Sequence, residues 1–156
     1  MIKNFKFFLL FLFLYSCGYS PIYEVNKKLN FKLDVTNYSG DKKIGREIEK
    51  GLEKFKNNKT KNIFDADFII MKKEEIISKD KKGDPTALKT TIEVDLNLLN
   101  KTNNKTFTKK FTKETTYDSM DNKFELNQYK INVEKNMVLK ILQDIGIFFN
   151  IIENDL

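Results

Sequence analysis

The sequence predicts an α+β domain, a two-layer sandwich in which a four-stranded, mostly antiparallel sheet carries two helices on one face, in the order β-α-β-β-β-α. Three patterns predict it. Ile92, Val94, Leu96 and Leu98 alternate with Glu93, Asp95 and Asn97, the period of a strand with one buried face and one wet face. Ile44, Ile48, Leu52 and Phe55 recur every three or four residues, as on one stripe of a helix. Tyr129, Val133, Met137, Ile141, Ile145, Phe148 and Ile152 recur in the same way, with Val138, Leu142 and Phe149 widening the stripe. One apolar sheet face and two apolar helix stripes need covering, and laying both helices on the sheet covers all three.

The elements follow in chain order. Phe31 to Thr36 alternates apolar and polar residues and predicts the first strand. Asn37-Tyr38-Ser39-Gly40-Asp41 reads as a turn ending in a helix cap. The first helix then presents its apolar stripe on one side, with lysines, Arg46 and glutamates opposite, and stops at Asn57-Asn58-Lys59-Thr60. A second strand starts near Ala66. It points Asp67, Ile69 and Met71 one way and Phe68, Ile70 and Lys72 the other, and runs on through Ile77. Lys79 to Thr86 is an exposed turn punctuated by Gly83 and Pro85. The third strand holds the alternation at Ile92 to Leu98, and Asn100 to Asn104 makes a hairpin loop. Thr106 to Tyr117 is a threonine-rich fourth strand, with Phe107 and Phe111 on one face and Lys110 on the other. The last helix spans Asn127 to Ile152, roughly 39 Å long. Its stripe reads as packing against the sheet. A membrane-surface helix is the alternative, but Glu134, Asp144 and Glu153 make its polar face less basic than such helices prefer.

The 156 residues are enough for one such domain, and 40% hydrophobic against 32% charged residues is a globular balance. Composition excludes several chemistries. The chain has no histidine, which removes Ser-His-Asp and Cys-His catalysis and the usual zinc sites. Cys17 is the single cysteine, so no intrachain disulfide or CxxC redox pair can form. Neither GxGxxG nor GxxxxGK[ST] occurs. Carboxylates and lysines remain for acid–base work, but they form no recognisable constellation. The chain reads as non-catalytic, with no cofactor and no metal.

The N-terminus supplies the most specific signal. Lys3 and Lys6 precede the apolar run Phe7 to Tyr15, the layout of a secretory signal. The run is shorter than the roughly 20 residues that span a bilayer. Leu14-Tyr15-Ser16-Cys17 resembles a bacterial lipobox, although Tyr15 is larger than the residue that position prefers. On this reading residues 1–16 are a lipoprotein signal peptide, residues 17–30 a tether lipidated at Cys17, and residues 31–156 the folded domain. Several acyl chains on Cys17 give stable attachment where a single chain is marginal. Gly18, in place of Asp, resembles lipoproteins sorted to the outer membrane. The net charge of +6 is otherwise a reason to expect nucleic acid as a partner. Export argues against that partner.

Cys17-Gly18-Tyr19-Ser20-Pro21-Ile22-Tyr23 resembles the mature start of the LPS-assembly lipoprotein LptE family, in its alphaproteobacterial form. Asp41 to Leu52 resembles the family's first helix. Lys82 to Lys89 resembles its polar turn into the third strand, and Glu114 to Asp118 the end of its fourth strand. The resemblance implies a lipid-anchored protein on the periplasmic side of the outer membrane. It also implies that the protein partners and plugs an LptD-type β-barrel and contacts lipopolysaccharide, without catalysis. Where that family often carries arginine, this chain usually has lysine or a neutral residue, and lysine lacks the bidentate fork for phosphate. The alternative is an auxiliary lipoprotein of another envelope lipid-transport machine of the ABC type. Candidate lipopolysaccharide-binding residues are Lys79, Lys81, Lys82 and Lys89 around the turn and Lys110 on the next strand, acting by charge attraction. Lys109 and Lys113 add to that strand. Asp80 and Asp84 oppose the cluster, and exposed lysines are also the ordinary means of solubility.

Overall fold

A computed structural model describes residues 31–56 and 59–154. The order is β1 (Lys32–Gly40), α1 (Lys42–Leu52), a 3-10 turn (Glu53–Phe55), β2 (Ile63–Lys79), β3 (Pro85–Asn100), β4 (Thr106–Asp118) and α2 (Lys123–Asn154). The sheet order is β1-β2-β3-β4. β1 and β2 run parallel, and the other pairs are antiparallel. A parallel pair needs a crossover, and α1 provides it. The α+β sandwich expected from the sequence is the observed architecture.

β1 runs further than the sequence pattern indicates. Asn37 to Gly40, read above as a turn, are strand residues paired with Asp67 to Ile70. Parallel pairing to β2 holds this polar stretch extended, and a register shift between Val35 and Asn37 returns Tyr38 to the core side. The chain breaks away only at Gly40, at φ 89°, where an added Cβ would lie 1.9 Å from the Ile70 carbonyl oxygen. Asp41 then donates its N–H to that oxygen at 3.1 Å. Its side-chain Oδ1 accepts from the N–H groups of Lys43 and Ile44, both at 3.0 Å, and so caps α1 as expected.

The other differences are at boundaries. β2 starts at Ile63, because Phe64 continues the inward face below Ala66. α2 starts at Lys123, where Asn122 Oδ1 accepts from the N–H groups of Phe124 and Glu125. The facing assignments of β2 and β3 stand, whereas on α2 Tyr129 of the expected stripe is 42% exposed and Glu134 of the expected polar face is buried. Phe68 and Ile70 are buried while Ile69 and Met71 are about half exposed, and Ile92, Val94, Leu96 and Leu98 are all buried. Both helices lie on this inner face. Ile44, Ile48 and Leu52 of α1 and Met137, Ile141, Ile145 and Phe149 of α2 close the core. Phe31 ends the core at the pole where the chain enters, against Phe64 and Phe149, both at 5.3 Å between ring centroids. α1 and α2 both end at this pole, and the β2–β3 turn lies at the other. Residues 1–30, with the signal and tether, lie outside the described residues.

Candidate functional site

The β2–β3 hairpin outruns its neighbours. β1 leaves β2 at Ile70, and β4 stops pairing with β3 at Ala87, opposite Asp118. The turn beyond is tightly held. Asp80 Oδ1 accepts from the N–H groups of Lys82 and Asp84, both at 2.8 Å. The Asp80 N–H donates to the Asp84 carbonyl at 2.9 Å, and Gly83 adopts φ 93°. Asp80 is thus committed to shaping the turn, as aspartate commonly is. Lys79, Lys81 and Lys82 project from this frame, exposed and without an ion pair among the described residues.

The remaining candidate lysines do not join them. Lys89 lies on the outer sheet face and pairs with Glu114 at 2.5 Å. Its hydrogen bond to Glu114 and the charge of that carboxylate raise its pKa. Lys110 lies on the same face opposite Asp95, about 20 Å further down β3 from Lys89. It is bound to Glu93 at 3.1 Å and Asp95 at 3.7 Å, and the Glu93 hydrogen bond and the Asp95 charge raise its pKa. Lys109 and Lys113 point to the opposite, helix-bearing face, where Lys113 pairs with Asp144 at 2.6 Å. The continuous patch expected from chain order therefore divides, and free positive charge remains at the tip. Pairing partners separated by some 17 to 31 residues dictate this, and strand register alone reveals them.

One cluster was missed from the sequence. Glu134, assigned above to the polar face of the last helix, is 5% exposed. It accepts from Lys43 Nζ at 2.6 Å and from Lys72 Nζ at 2.5 Å, joining α2 to α1 and β2. Burial pushes its pKa up, but the two lysine hydrogen bonds and their charges outweigh burial and hold it below the ordinary range. Burial lowers the Lys72 pKa, and its bond to Glu134 reverses that and leaves it raised. The available signal was Lys72 itself, a charge in inward register directly after Phe68 and Ile70.

A groove of about 700 Å³ runs beside the free edge of β2, lined by Asp41, Met71, Lys72, Lys73, Glu75 and Glu93. Asp41 caps α1 and Lys72 holds Glu134, so two of its charged groups already have structural partners. Among the described residues no cluster of acids and cysteines could hold a metal, and no helix is long and apolar enough to cross a membrane.

No family model matches this chain, and no curated protein matches it in sequence. Solved structures do match its fold. Rare lipoprotein B from Shewanella oneidensis superposes with a TM-score of 0.57 at 12% identity, over 79% of this chain and 98% of that one. A lipoprotein B from Nitrosomonas europaea gives 0.54 at 14% identity, over 80% and 90%. A minor lipoprotein from Acinetobacter baumannii gives 0.50 at 10% identity, over 75% and 91%. At such identities the likeness concerns the backbone, and this chain has the fold of those lipoprotein domains.

Proposed function

We propose that this protein is an outer-membrane lipoprotein that partners and plugs an LptD-type β-barrel and assists lipopolysaccharide assembly, without catalysis. The observation that carries this reading is the coincidence of two independent signals. A lipobox ends at Cys17 and opens into Gly18-Tyr19-Ser20-Pro21-Ile22-Tyr23. The domain behind it has the fold of rare lipoprotein B, which is LptE. Lipid on Cys17 anchors the domain at the periplasmic side. The hairpin tip, where Lys79, Lys81 and Lys82 have no ion pair among the described residues, then offers positive charge to the phosphates of lipopolysaccharide.

Capture of the full-length protein from solubilised outer membrane tests the partner. An LptD-type barrel as the main co-purifying protein supports the proposal. A set of inner-membrane transporter components in its place overturns it in favour of the ABC-type alternative. Radiolabelled palmitate tests the anchor. Label is expected in the wild type and not in Cys17→Ala, and label that survives the substitution ends the lipoprotein reading.

A further inference from the structure

β4 is an edge of the sheet, and among the described residues no strand pairs with its far side. The Lys105 carbonyl accepts from the Asn100 N–H and the Ser119 N–H donates to the Thr86 carbonyl, so odd-numbered residues turn their backbone groups toward β3. The even-numbered ones, from Thr106 to Asp118, turn theirs outward, since the direction alternates along a strand. A groove of about 390 Å³ follows this edge, between Lys109, Phe111 and Thr112 of β4 and Asp144, Ile147 and Ile151 of α2. Asp144 is taken by Lys113 at 2.6 Å, whereas Ile147 and Ile151 are 51% and 55% exposed. Ile147 lies level with Thr112, since Asp144 meets Lys113 on one side of it and Phe148 meets Phe111 on the other.

We propose that, outside a barrel, this chain pairs with a second copy of itself along β4, antiparallel about a two-fold axis at Thr112. The register follows from charge, because lysines on an edge deter most partner strands. Centring the pair on Thr112 sets Lys110 opposite Glu114 of the second copy, Lys109 opposite Thr115, Lys113 opposite Phe111 and Phe107 opposite Tyr117. Centring it one or two residues to either side sets Lys109 against Lys113, or sets Lys110, Lys113 or Glu114 against its own counterpart. Like charges directly opposite are destabilising. The Thr112 register also lies midway along β4 and brings outward backbone groups face to face. On the outer face, Asp95, Lys110 and Glu114 of the second copy then follow one another across the sheet with alternating sign. On the helix face the two Ile147 side chains come nearest the axis and leave water together. The other edges do not offer this. β2 is open above Ile70, where Gly40 and Asp41 block a long partner strand, and β1 shifts register between Val35 and Asn37. A two-fold axis at Thr112 points the two hairpin tips in opposite directions, so a barrel lumen admits one copy, and pairing and plugging exclude each other. For that exclusion alone the proposal rests on the barrel reading.

Residues opposed in a hydrogen-bonded pair lie about 5.5 Å apart between Cα atoms, within disulfide reach, so Thr112→Cys can lock the pair at its axis. Cys17 is the single native cysteine, and lipid on its sulfur leaves the new thiol as the reactive one. Full-length lipidated Thr112→Cys, oxidised in detergent, is expected to run as a dimer that reductant resolves. Ser39→Cys, at an exposed position of β1, is expected to stay monomeric. Monomer at both positions, or equal cross-linking at both, overturns the proposal. Without cross-linking, wild type should sediment as a dimer. Thr112→Pro should raise its dissociation constant on the order of tenfold or more, because proline removes an N–H that faces the second copy and serves no bond within the sheet. Ile147→Glu, at a half-exposed position, should do the same by setting two acids at the axis. Both variants should keep the wild-type far-ultraviolet circular dichroism, and a dimer that survives either substitution counts against the pairing. The oxidised Thr112→Cys pair should fail to bind an LptD-type barrel until it is reduced, and equal binding before and after reduction overturns the exclusion. Barrel capture by a chain that never pairs sinks the pairing alone. Pairing without barrel capture or palmitate label sinks the barrel reading alone.

Discussion

Glu134 shows how one side chain can tie three elements together. Its carboxylate is almost completely buried, yet both of its partners keep some contact with water, Lys72 at 28% and Lys43 at 51% side-chain exposure. Glu134→Gln keeps the shape, leaves Lys43 without a counter-charge and leaves Lys72 with Glu74 alone, at 3.8 Å. The expected loss is about 2–3 kcal/mol, near the low end for breaking a buried pair, because Lys43 can rehydrate. The pH dependence follows from the directions of the shifts. Glu134 has a lowered pKa, so its contribution is complete above the ordinary 4.5 and disappears as pH falls through the lowered value. Lys72 has a raised pKa, so its contribution is complete below 10.5 and disappears as pH rises through the raised value. Denaturant melts of wild type and Glu134→Gln should therefore differ most between these limits and converge in acid. The tip lysines call for a different test. Each exposed charge contributes at most about 1 kcal/mol. Lys79→Glu alone should change lipopolysaccharide binding little, while reversing Lys79, Lys81 and Lys82 together should weaken it markedly. Reversing Lys89, whose charge is already shared with Glu114, should add little to the triple variant. Equal binding by wild type and the triple variant, measured by titration, makes the tip an ordinary solvated surface.

At the scale of elements, β3 is the spine of the sheet and its two faces are chemically opposite. Leu96 is 1% exposed against the helices, while Asp95, next to it, faces outward 3.7 Å from Lys110. Leu96→Asp buries a charge with no partner and should cost several kcal/mol out of a typical total of about 5–15. Asp95→Asn should cost well under 1 kcal/mol. Similar denaturation midpoints for these two variants contradict the facing. α2 and α1 meet the sheet at the entry pole through aromatic rings. Phe149 lies 5.3 Å from Phe31 and 5.4 Å from Phe55 between centroids. Phe149→Ala removes both contacts and the ring's burial together, with an expected loss of about 3–5 kcal/mol. The sequence marked these elements wherever a face is buried. It missed the second half of β1, where Asn37, Ser39 and Gly40 carry no apolar pattern and only the neighbouring strand holds the backbone extended.

At the scale of the molecule, the two poles differ in character. At one, Phe31 leads into β1 among the aromatic rings of Phe55, Phe64 and Phe149. The other extends a β-hairpin past β1 and β4 and ends in three lysines with no ion pair among the described residues. If the tip meets lipopolysaccharide by charge attraction, salt should weaken the interaction throughout, since the Debye length falls from about 10 Å at 0.1 M to about 3 Å at 1 M. Binding measured at the two ionic strengths should fall for wild type and change much less for the Lys79, Lys81 and Lys82 triple reversal. A wild-type affinity that salt leaves unchanged argues for a mechanical role through the barrel alone.

The sequence alone determined the sandwich, the element order and the inward and outward faces of β2 and β3. Each of these is local, because the period of burial is written in consecutive residues. Tertiary structure decided the rest. Lys89 meets Glu114 and Lys110 meets Glu93 because of the β3–β4 register, and Glu134 meets Lys43 and Lys72 across distances of 91 and 62 residues in the chain. A lysine's charge is legible in sequence, but its freedom is not. That freedom depends on which acid the fold brings within about 4 Å, and only the packed elements fix that distance.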